Sequence, residues 1–241
     1  MKPFFDLHSH MLCGVDDGAK NQEDMFSMLE MAYTDGIRAI CLTPHYSPYL
    51  FGDTFDASER AFAVLQDYVQ QKHPDMYLYI GHELGYYNGC ASALASGACR
   101  TVAGSRYVLV DFPETVDFYE LSHAMDQLRS MGYSPILAHT ERYRCLFTKL
   151  PWIRNFVADG GVVQVNAASA TGEWGTRAKA QWKKLVKNGL VHVVSTDAHN
   201  LTTRPPKMSV CMDILKKYCD EQTVRNLVWN NACRVVQDQS L

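Results

Sequence analysis

Seven short apolar runs recur along the chain, and the segments between them have the periodicity of amphipathic helices. Runs of this length, flanked by turn residues, are typical of strands that are buried on both faces. Strands that alternate with helices predict an α/β fold built on a parallel sheet. No linker or repeat interrupts the pattern, so we expect one domain over residues 1–241. The runs lie at 4–7, 39–42, 76–80, 107–110, 135–138, 162–165 and 191–194.

The composition excludes several classes of protein. The hydrophobic fraction of 47% is that of a globular chain, and the net charge of -3 argues against binding to nucleic acid. No apolar run reaches the ~18 residues that span a membrane, and the first apolar residues meet Asp6 too early for a signal peptide. The eight cysteines include no C-x-x-C pair, which favours reduced thiols. We therefore expect a cytoplasmic protein.

Imidazoles and carboxylates follow nearly every predicted strand. Side chains two apart on a strand share a face, so His8 and His10 point the same way. In barrels of alternating strands and helices the active site lies at the C-terminal ends of the strands, so we expect these groups to converge at one rim. They are His8, His10, His45, Glu83, Asp111, His139, Asp197 and His199.

This set of side chains predicts a metal centre. Five histidines with carboxylates and without cysteine favour manganese, iron or zinc over calcium or magnesium. The ligands are too many for one ion, so we expect two or three, with Glu83 as the bridging carboxylate. Clustered ions activate water and stabilise a leaving oxygen, which is the equipment of a hydrolase. Arg142 and Arg204 are candidate phosphate anchors, or either pairs with Glu141 or another carboxylate at the rim.

Nine motifs carry a family resemblance that covers nearly the whole chain. They are Asp-Leu-His-Ser-His (6–10), Gly-Val-Asp-Asp-Gly-Ala (14–19), Thr-Pro-His (43–45), Gly-His-Glu-Leu (81–84), Asp-Phe-Pro (111–113), Leu-Ala-His-Thr-Glu-Arg-Tyr (137–143), Ala-Thr-Gly-Glu-Trp-Gly (170–175), Ser-Thr-Asp-Ala-His-Asn (195–200) and Arg-Pro-Pro (204–206). Together they resemble the polymerase and histidinol phosphatase (PHP) superfamily, specifically its CpsB/CapC/YwqE-type bacterial tyrosine-protein phosphatases. The resemblance implies a distorted (β/α)7 TIM-like barrel, with a trinuclear, usually manganese-dependent site that dephosphorylates phosphotyrosine.

The resemblance also implies roles for individual residues. Metal-bound hydroxide would attack phosphorus, while Arg142 and Arg204 hold the phosphoryl oxygens and His199 or His45 lies near the leaving phenolate. Asp17 enters the ligand set on the resemblance alone, because Asp16-Asp17 otherwise looks like a turn. The implied ligands are His8, His10, Asp17, His45, Glu83, Asp111, His139, Asp197 and His199.

Position 111 departs from the family pattern. Similar proteins usually have Glu where this chain has Asp111, whose arm reaches about one carbon less far. Glu114 is a candidate to compensate. We also expect Asp6 and Asn166 to support the ligands rather than to bind metal, and His82 to face away from Glu83.

Rival functions remain open at this point. A small-molecule phosphatase acting on a substrate like histidinol phosphate would use the same metals, and a non-catalytic protein that binds a kinase would keep them for structure. A cysteine mechanism is disfavoured, because the C-x5-R spacing from Cys219 to Arg225 lacks glycines and carries two acids. The implied substrate is phosphotyrosine on the tail of a tyrosine kinase of polysaccharide biosynthesis, and a homo-oligomer around such a tail is left open.

Overall fold

Parallel strands alternate with helices throughout residues 3–241, the part of the chain that the structure, a computed structural model, describes. Met1 and Lys2, with which the predicted domain begins, lie outside the described residues. The strands are β1 (Phe4–Ser9), β2 (Ile37–Leu42), β3 (His45–Tyr46), β4 (Tyr77–Ile80), β5 (Glu83–Gly85), β6 (Tyr107–Asp111), β7 (Ser134–Leu137), β8 (Val162–Asn166) and β9 (Val193–Ser195). The helices are α1 (Gln22–Asp35), α2 (Phe55–Lys72), α3 (Cys90–Ser96), α4 (Phe118–Ser130), α5 (Leu150–Ala158), α6 (Gly175–Lys187), α7 (Met212–Leu215), α8 (Glu221–Arg225) and α9 (Asn231–Val236).

The strands form a curled parallel sheet, which confirms the predicted α/β class. They pair in the order β1-β2-β4 and in the order β3-β5-β6-β7-β8-β9. The first and last strands also meet, because Ser9 and Ala198 form a parallel bridge and Asp197 N donates to His8 O at 2.9 Å. The first and last strands of the sheet therefore lie side by side.

All seven predicted apolar runs overlap a strand, but two strand paths are broken. Pro44 separates β2 from β3, and proline has no N–H to donate to a ladder. Gly81 and His82 separate β4 from β5, where a Cβ on Gly81 would lie 3.0 Å from Val102 Cα. The resulting short strands β3 and β5 pair with His45 opposite Glu83, so the two breaks bring two candidate ligands together.

Helix α1 illustrates how the sequence sets the elements. Its N-cap Asn21 accepts a hydrogen bond from Asp24 N at 2.9 Å, and it ends at Gly36, which has a φ of 106°. The apolar face of α1, which includes Met25, Met28 and Leu29, is buried against the sheet. None of the helices within residues 3–241 combines the length and hydropathy that crossing a bilayer requires.

Candidate metal centre

The side chains predicted at the strand ends converge on one carboxylate, that of Glu83 at the start of β5. Its Oε1 lies 3.2 Å from His8 Nε2 and 3.1 Å from His139 Nε2. Its Oε2 lies 3.2 Å from His10 Nε2 and 3.0 Å from His45 Nδ1. One buried carboxylate thus faces four imidazoles, two from the end of β1, one from β3 and one that follows β7, which is the arrangement expected of a bridging ligand.

The remaining candidate ligands surround this group. Asp197 Oδ1 lies 3.5 Å from His8 Nε2 and 3.6 Å from His199 Nδ1. Asp17 Oδ1 lies 3.5 Å from both His45 Nε2 and His199 Nε2. Asp17, which the resemblance alone supplied, is therefore placed beside two of the imidazoles.

Asp111, at the end of β6, also lies beside Glu83. Its Oδ1 is 3.4 Å from His139 Nε2 and accepts a hydrogen bond from the Tyr143 hydroxyl at 3.2 Å. The shorter arm still reaches the cluster. Glu114 lies against Arg142 instead, so its contacts do not support a compensating role at position 111.

The chemistry of these donors fits divalent cations. Eight of the nine candidate ligands fall into three groups whose ligand atoms all lie within 4.8 Å of one another. Within the described residues, Glu83 Oε2 and His199 Nε2 are buried without a hydrogen bond. Imidazole and carboxylate donors that are buried without a hydrogen bond are suited to binding a shared metal ion. The groups are His10, Asp17, His45 and His199; His8, His10 and Asp197; and His45, Glu83 and Asp111.

The cluster is also strongly polarised. Burial alone would lower the pKa of His8, but the charges of Glu83 and Asp197 outweigh it and raise that pKa to about 9. Burial alone would raise the pKa of Glu83, but the charges of His8 and His45 hold it well below its usual range. Carboxylates therefore attract protons to the rings, and cations would take the place of those protons on binding.

Two candidate ligands have strained backbones. His139 has a φ of 30° and Asp197 a φ of 54°, a region that residues other than glycine rarely adopt. Both follow the end of a strand, where the turn aims the side chain back at Glu83 or His8. Strain of this kind persists where the surrounding structure imposes it, and it clusters at functional sites.

Hydrogen bonds from further side chains aim the imidazoles. Asp16 Oδ2 lies 2.7 Å from His10 Nδ1 and accepts from His45 N at 2.9 Å. Gln164 Oε1 lies 3.3 Å from His8 Nδ1 and accepts from His139 N at 2.6 Å. Sequence reasoning missed both residues, although the acidic neighbour of Asp17 was a signal for the first.

The residues expected to support the ligands contact them through backbone or amide groups. Asp6 accepts from Thr196 N at 2.9 Å and from His8 N at 3.4 Å, so it joins the segments that carry two ligands. Asn166 Nδ2 donates to Asp197 Oδ2 at 2.8 Å. His82 lies outside the cluster, where its Nδ1 accepts from Arg100 N at 2.9 Å.

Both arginines border the cluster. Arg204 Nη2 donates to Asp197 Oδ1 at 2.6 Å, and Arg142 Nη1 lies 3.6 Å from Asp197 Oδ2. Arg142 also donates through Nε to Glu114 Oε1 at 3.1 Å. Glu141, an alternative partner, instead accepts from Asn166 N at 3.0 Å. Two guanidinium groups thus lie beside a candidate metal ligand.

The cluster opens to solvent along one side. The Asp17 side chain is 53% exposed and that of Asp111 is 26% exposed, whereas Glu83 and Asp197 are 1% exposed. Solvent therefore reaches the cluster at Asp17 and at Asp111.

The C-x5-R segment spans the start of α8. Asp220, which follows Cys219, is the N-cap of α8 and accepts from Thr223 N at 2.7 Å. Burial raises the pKa of the Cys219 thiol, which opposes a thiolate nucleophile.

Comparison with known proteins adds an independent line of evidence. A family model for capsular polysaccharide synthesis, CpsB/CapC, matches residues 4–237. The chain is 27% identical over 239 residues to the tyrosine-protein phosphatase CpsB of Streptococcus pneumoniae, covering 97% of this chain and 98% of that protein. It is 30% identical over 213 residues to the tyrosine-protein phosphatase YwqE of Bacillus subtilis, covering 88% and 84%.

A solved structure agrees with these relatives. It comes from crystallographic work on YwqE from Bacillus subtilis and CpsB from Streptococcus pneumoniae, unique metal-dependent tyrosine phosphatases. The TM-score is 0.87 at 28% identity, and the alignment covers 98% of this chain and 96% of that chain. Fold and sequence therefore point to the same set of proteins.

Proposed function

The chain belongs to the CpsB/CapC family of capsular polysaccharide synthesis, and from that premise we propose that it is a metal-dependent protein-tyrosine phosphatase. The observation that carries the proposal is the position of Asp197. Its carboxylate contacts His8 within the candidate metal centre and Arg204 at its border. The same carboxylate therefore contacts an imidazole of the metal centre and a guanidinium group. A phosphoryl group bound by that arginine would lie beside the metal ions.

We assign the roles of the chain's own residues as follows. Arg142 and Arg204 bind the phosphoryl oxygens and orient the phosphorus toward the metal centre. His45 and His199, which flank the exposed Asp17, lie on the side where the phenolate leaves. The ions supply an activated water and neutralise developing charge when they are bound. The nine ligands named above would hold those ions, and Glu83 is the candidate bridging carboxylate.

The finer attributes belong to the same proposal. We propose two or three manganese ions as the native metals, with iron or zinc as substitutes, because the donors mix imidazole and carboxylate. We propose as substrate a phosphotyrosine on the tail of a tyrosine kinase of polysaccharide biosynthesis, and a homo-oligomer around that tail. The family of the chain supports a substrate from polysaccharide biosynthesis. The solvent-exposed side of the cluster supports a peptide as the substrate.

The location of the protein and the architecture of its barrel are also part of the proposal. We propose a cytoplasmic protein, supported by eight cysteines that are all free. We also propose that the strands act as seven paths of a distorted PHP-type barrel within one domain, residues 1–241. The contact between β1 and β9 supports this proposal.

The test is hydrolysis of a phosphotyrosine peptide beside histidinol phosphate, by metal-stripped protein to which manganese is restored. We expect turnover of the peptide, and its loss in His139→Ala, because that change removes a contact of both Glu83 and Asp111. His123→Ala is the matched control, since His123 is exposed on α4 and stacks on Tyr119.

Each other outcome selects a different function. Turnover of histidinol phosphate alone would identify a small-molecule phosphatase. Manganese binding without turnover of either compound would favour the non-catalytic protein that binds a kinase. Equal activity in His139→Ala and wild type would contradict the assignment of the centre.

A further inference from the structure

Trp174 lies against both arginines that border the metal centre. The guanidinium carbon of Arg142 is 4.0 Å from the centre of the Trp174 ring, and that of Arg204 is 5.3 Å from it. We infer that Trp174 is a positioning residue, which holds the two guanidinium groups where they bind the phosphoryl group. The inference rests on the proposed function, because it concerns the phosphate anchors of that reaction.

The contacts of the arginines define what an indole adds. A cation within about 6 Å of an aromatic ring centre is attracted to its face, and tryptophan gives the strongest attraction. Asp197 contacts Arg204 and Arg142 at their N–H edges, at 2.6 Å and 3.6 Å. The Trp174 ring and the Asp197 carboxylate together restrict both the orientation and the position of each guanidinium group.

One donor of this pair is left for a ligand. Arg204 Nε is buried and has no hydrogen-bond partner among residues 3–241. A buried N–H without an acceptor is costly, and a phosphoryl oxygen accepts from an arginine edge. The Trp174 ring lies over the Arg204 guanidinium, with its centre 5.3 Å from the guanidinium carbon, and supplies no acceptor to Nε.

The backbone around Trp174 is built to hold it there. Trp174 is the last residue before α6, within a tight turn in which Gly175 N donates to Gly172 O at 2.9 Å. Both glycines have positive φ, 101° at Gly172 and 87° at Gly175. Helix α6 packs against the 140–142 turn that carries Arg142, so the ring and this arginine belong to one packed unit.

The other tryptophans have ordinary roles in packing. Trp182 is fully buried, Trp152 stacks on Phe156, and Trp229 lies against Phe5. The ring of Trp174 is half-buried, and in the described part of the chain its ring contacts are with the two guanidinium groups. Packing of the core therefore does not explain its position.

The test compares two smaller apolar substitutions, the aromatic Trp174→Phe and the aliphatic Trp174→Leu. We measure KM and kcat for a phosphotyrosine peptide, the inhibition constant of inorganic phosphate, and the manganese content. Loss of the aromatic face in Trp174→Leu is expected to raise KM and the phosphate inhibition constant about ten-fold. Trp174→Phe recovers most of that loss, and manganese content stays at the wild-type value in both.

A matched control comes from the other end of α6. Tyr218 lies within 5.4 Å of Lys183 Nζ and 4.9 Å of Lys187 Nζ, so Tyr218→Leu removes aromatic contacts to cations away from the metal centre. It should leave KM and phosphate inhibition unchanged.

Three results would overturn the inference. One is equal behaviour of the Phe and Leu variants, another is unchanged phosphate affinity in both, and the third is loss of manganese in step with loss of affinity. Phosphate affinity of the manganese-loaded protein can be measured by calorimetry even without turnover. A wild-type protein that binds phosphate but hydrolyses no peptide would therefore refute the proposed function while the test of Trp174 still runs.

Discussion

A hydrogen bond on the far side of an imidazole decides where its other nitrogen points, as His10 shows. Asp16 binds His10 Nδ1 at 2.7 Å, and His10 Nε2 is left to face Glu83 at 3.2 Å. Carboxylates placed in this way fix the ring and raise its basicity as a ligand. Asp16 therefore acts on the metal centre without belonging to it.

The substitution Asp16→Asn tests this role. An amide in place of the carboxylate loses the charge on His10 Nδ1, so manganese affinity should fall about 10- to 100-fold. Titration calorimetry of the metal-stripped protein measures the change. Glu23→Gln is the control, since Glu23 is an exposed carboxylate near the start of α1. Wild-type affinity in Asp16→Asn would show that other contacts orient His10.

A second residue predicts a dependence of stability on pH. Burial lowers the pKa of His192 to about 4, and its neutral Nδ1 accepts from Val163 N at 3.2 Å. The unfolded chain takes up this proton near pH 6.5 and the folded chain only near pH 4, so His192 reduces stability as pH falls through that window.

Urea unfolding of the metal-free protein at pH 7 and pH 5 provides the measurement. The variant His192→Gln should lose less stability between these two values than wild type, because its side chain takes up no proton. His123→Gln, which replaces an exposed histidine, is the control and is unfolded at the same two pH values. A loss in His192→Gln as large as in wild type would refute the assignment.

Most candidate ligands were within reach of sequence reasoning because they follow a predicted apolar run. His8, Glu83 and Asp197 lie where the alternation of strands and helices places them. Asp17 could be identified only through the family motif, since two adjacent acidic residues show neither strand nor helix periodicity. Gln164 was out of reach, because its contact with His8 joins residues 156 apart. Only the folded sheet brings those two side chains together.

At the scale of elements, the apolar runs predicted every strand path but not the breaks within two of them. Hydrophobicity locates a buried strand, and it carries no information on where the ladder is interrupted. Pro44 and Gly81 end β2 and β4 for local steric reasons, and Glu83 N then donates to Pro44 O at 3.0 Å. The pairing of His45 with Glu83 depends on these interruptions.

The turn after β1 makes a sharper prediction. A Cβ on Gly18 would lie 1.9 Å from His10 O, so Gly18→Ala must move the turn that carries Asp16 and Asp17. We expect a loss of about 1–3 kcal/mol in unfolding free energy and weaker manganese binding. In Gly85→Ala the new Cβ would lie at an ordinary 3.5 Å from Ser47 Cβ, so this variant is the control. Thermal denaturation and metal titration of both variants decide the point.

At the scale of the whole molecule, the metal centre joins the ends of the sheet. Cations that bind the folded chain and not the unfolded chain stabilise it by about 2.7 kcal/mol at a concentration 100-fold above Kd. For a protein of this size that corresponds to a rise in Tm of roughly 5–10 °C. Chelation should lower Tm by this amount, and added manganese should restore it, in a calorimetric scan. An unchanged Tm after verified removal of metal would contradict the assignment.

The contact between β1 and β9 also bears on how the protein is made. Asp6 pairs with Thr196 across 190 residues, and His8 O accepts from Asp197 N. During translation the N-terminal strand leaves the ribosome long before its partner exists, at about 5–20 residues per second. The centre is therefore completed only when synthesis has passed His199. A nascent chain holds isolated histidines and carboxylates, so a metal centre formed by these residues would be loaded late in the life of each molecule.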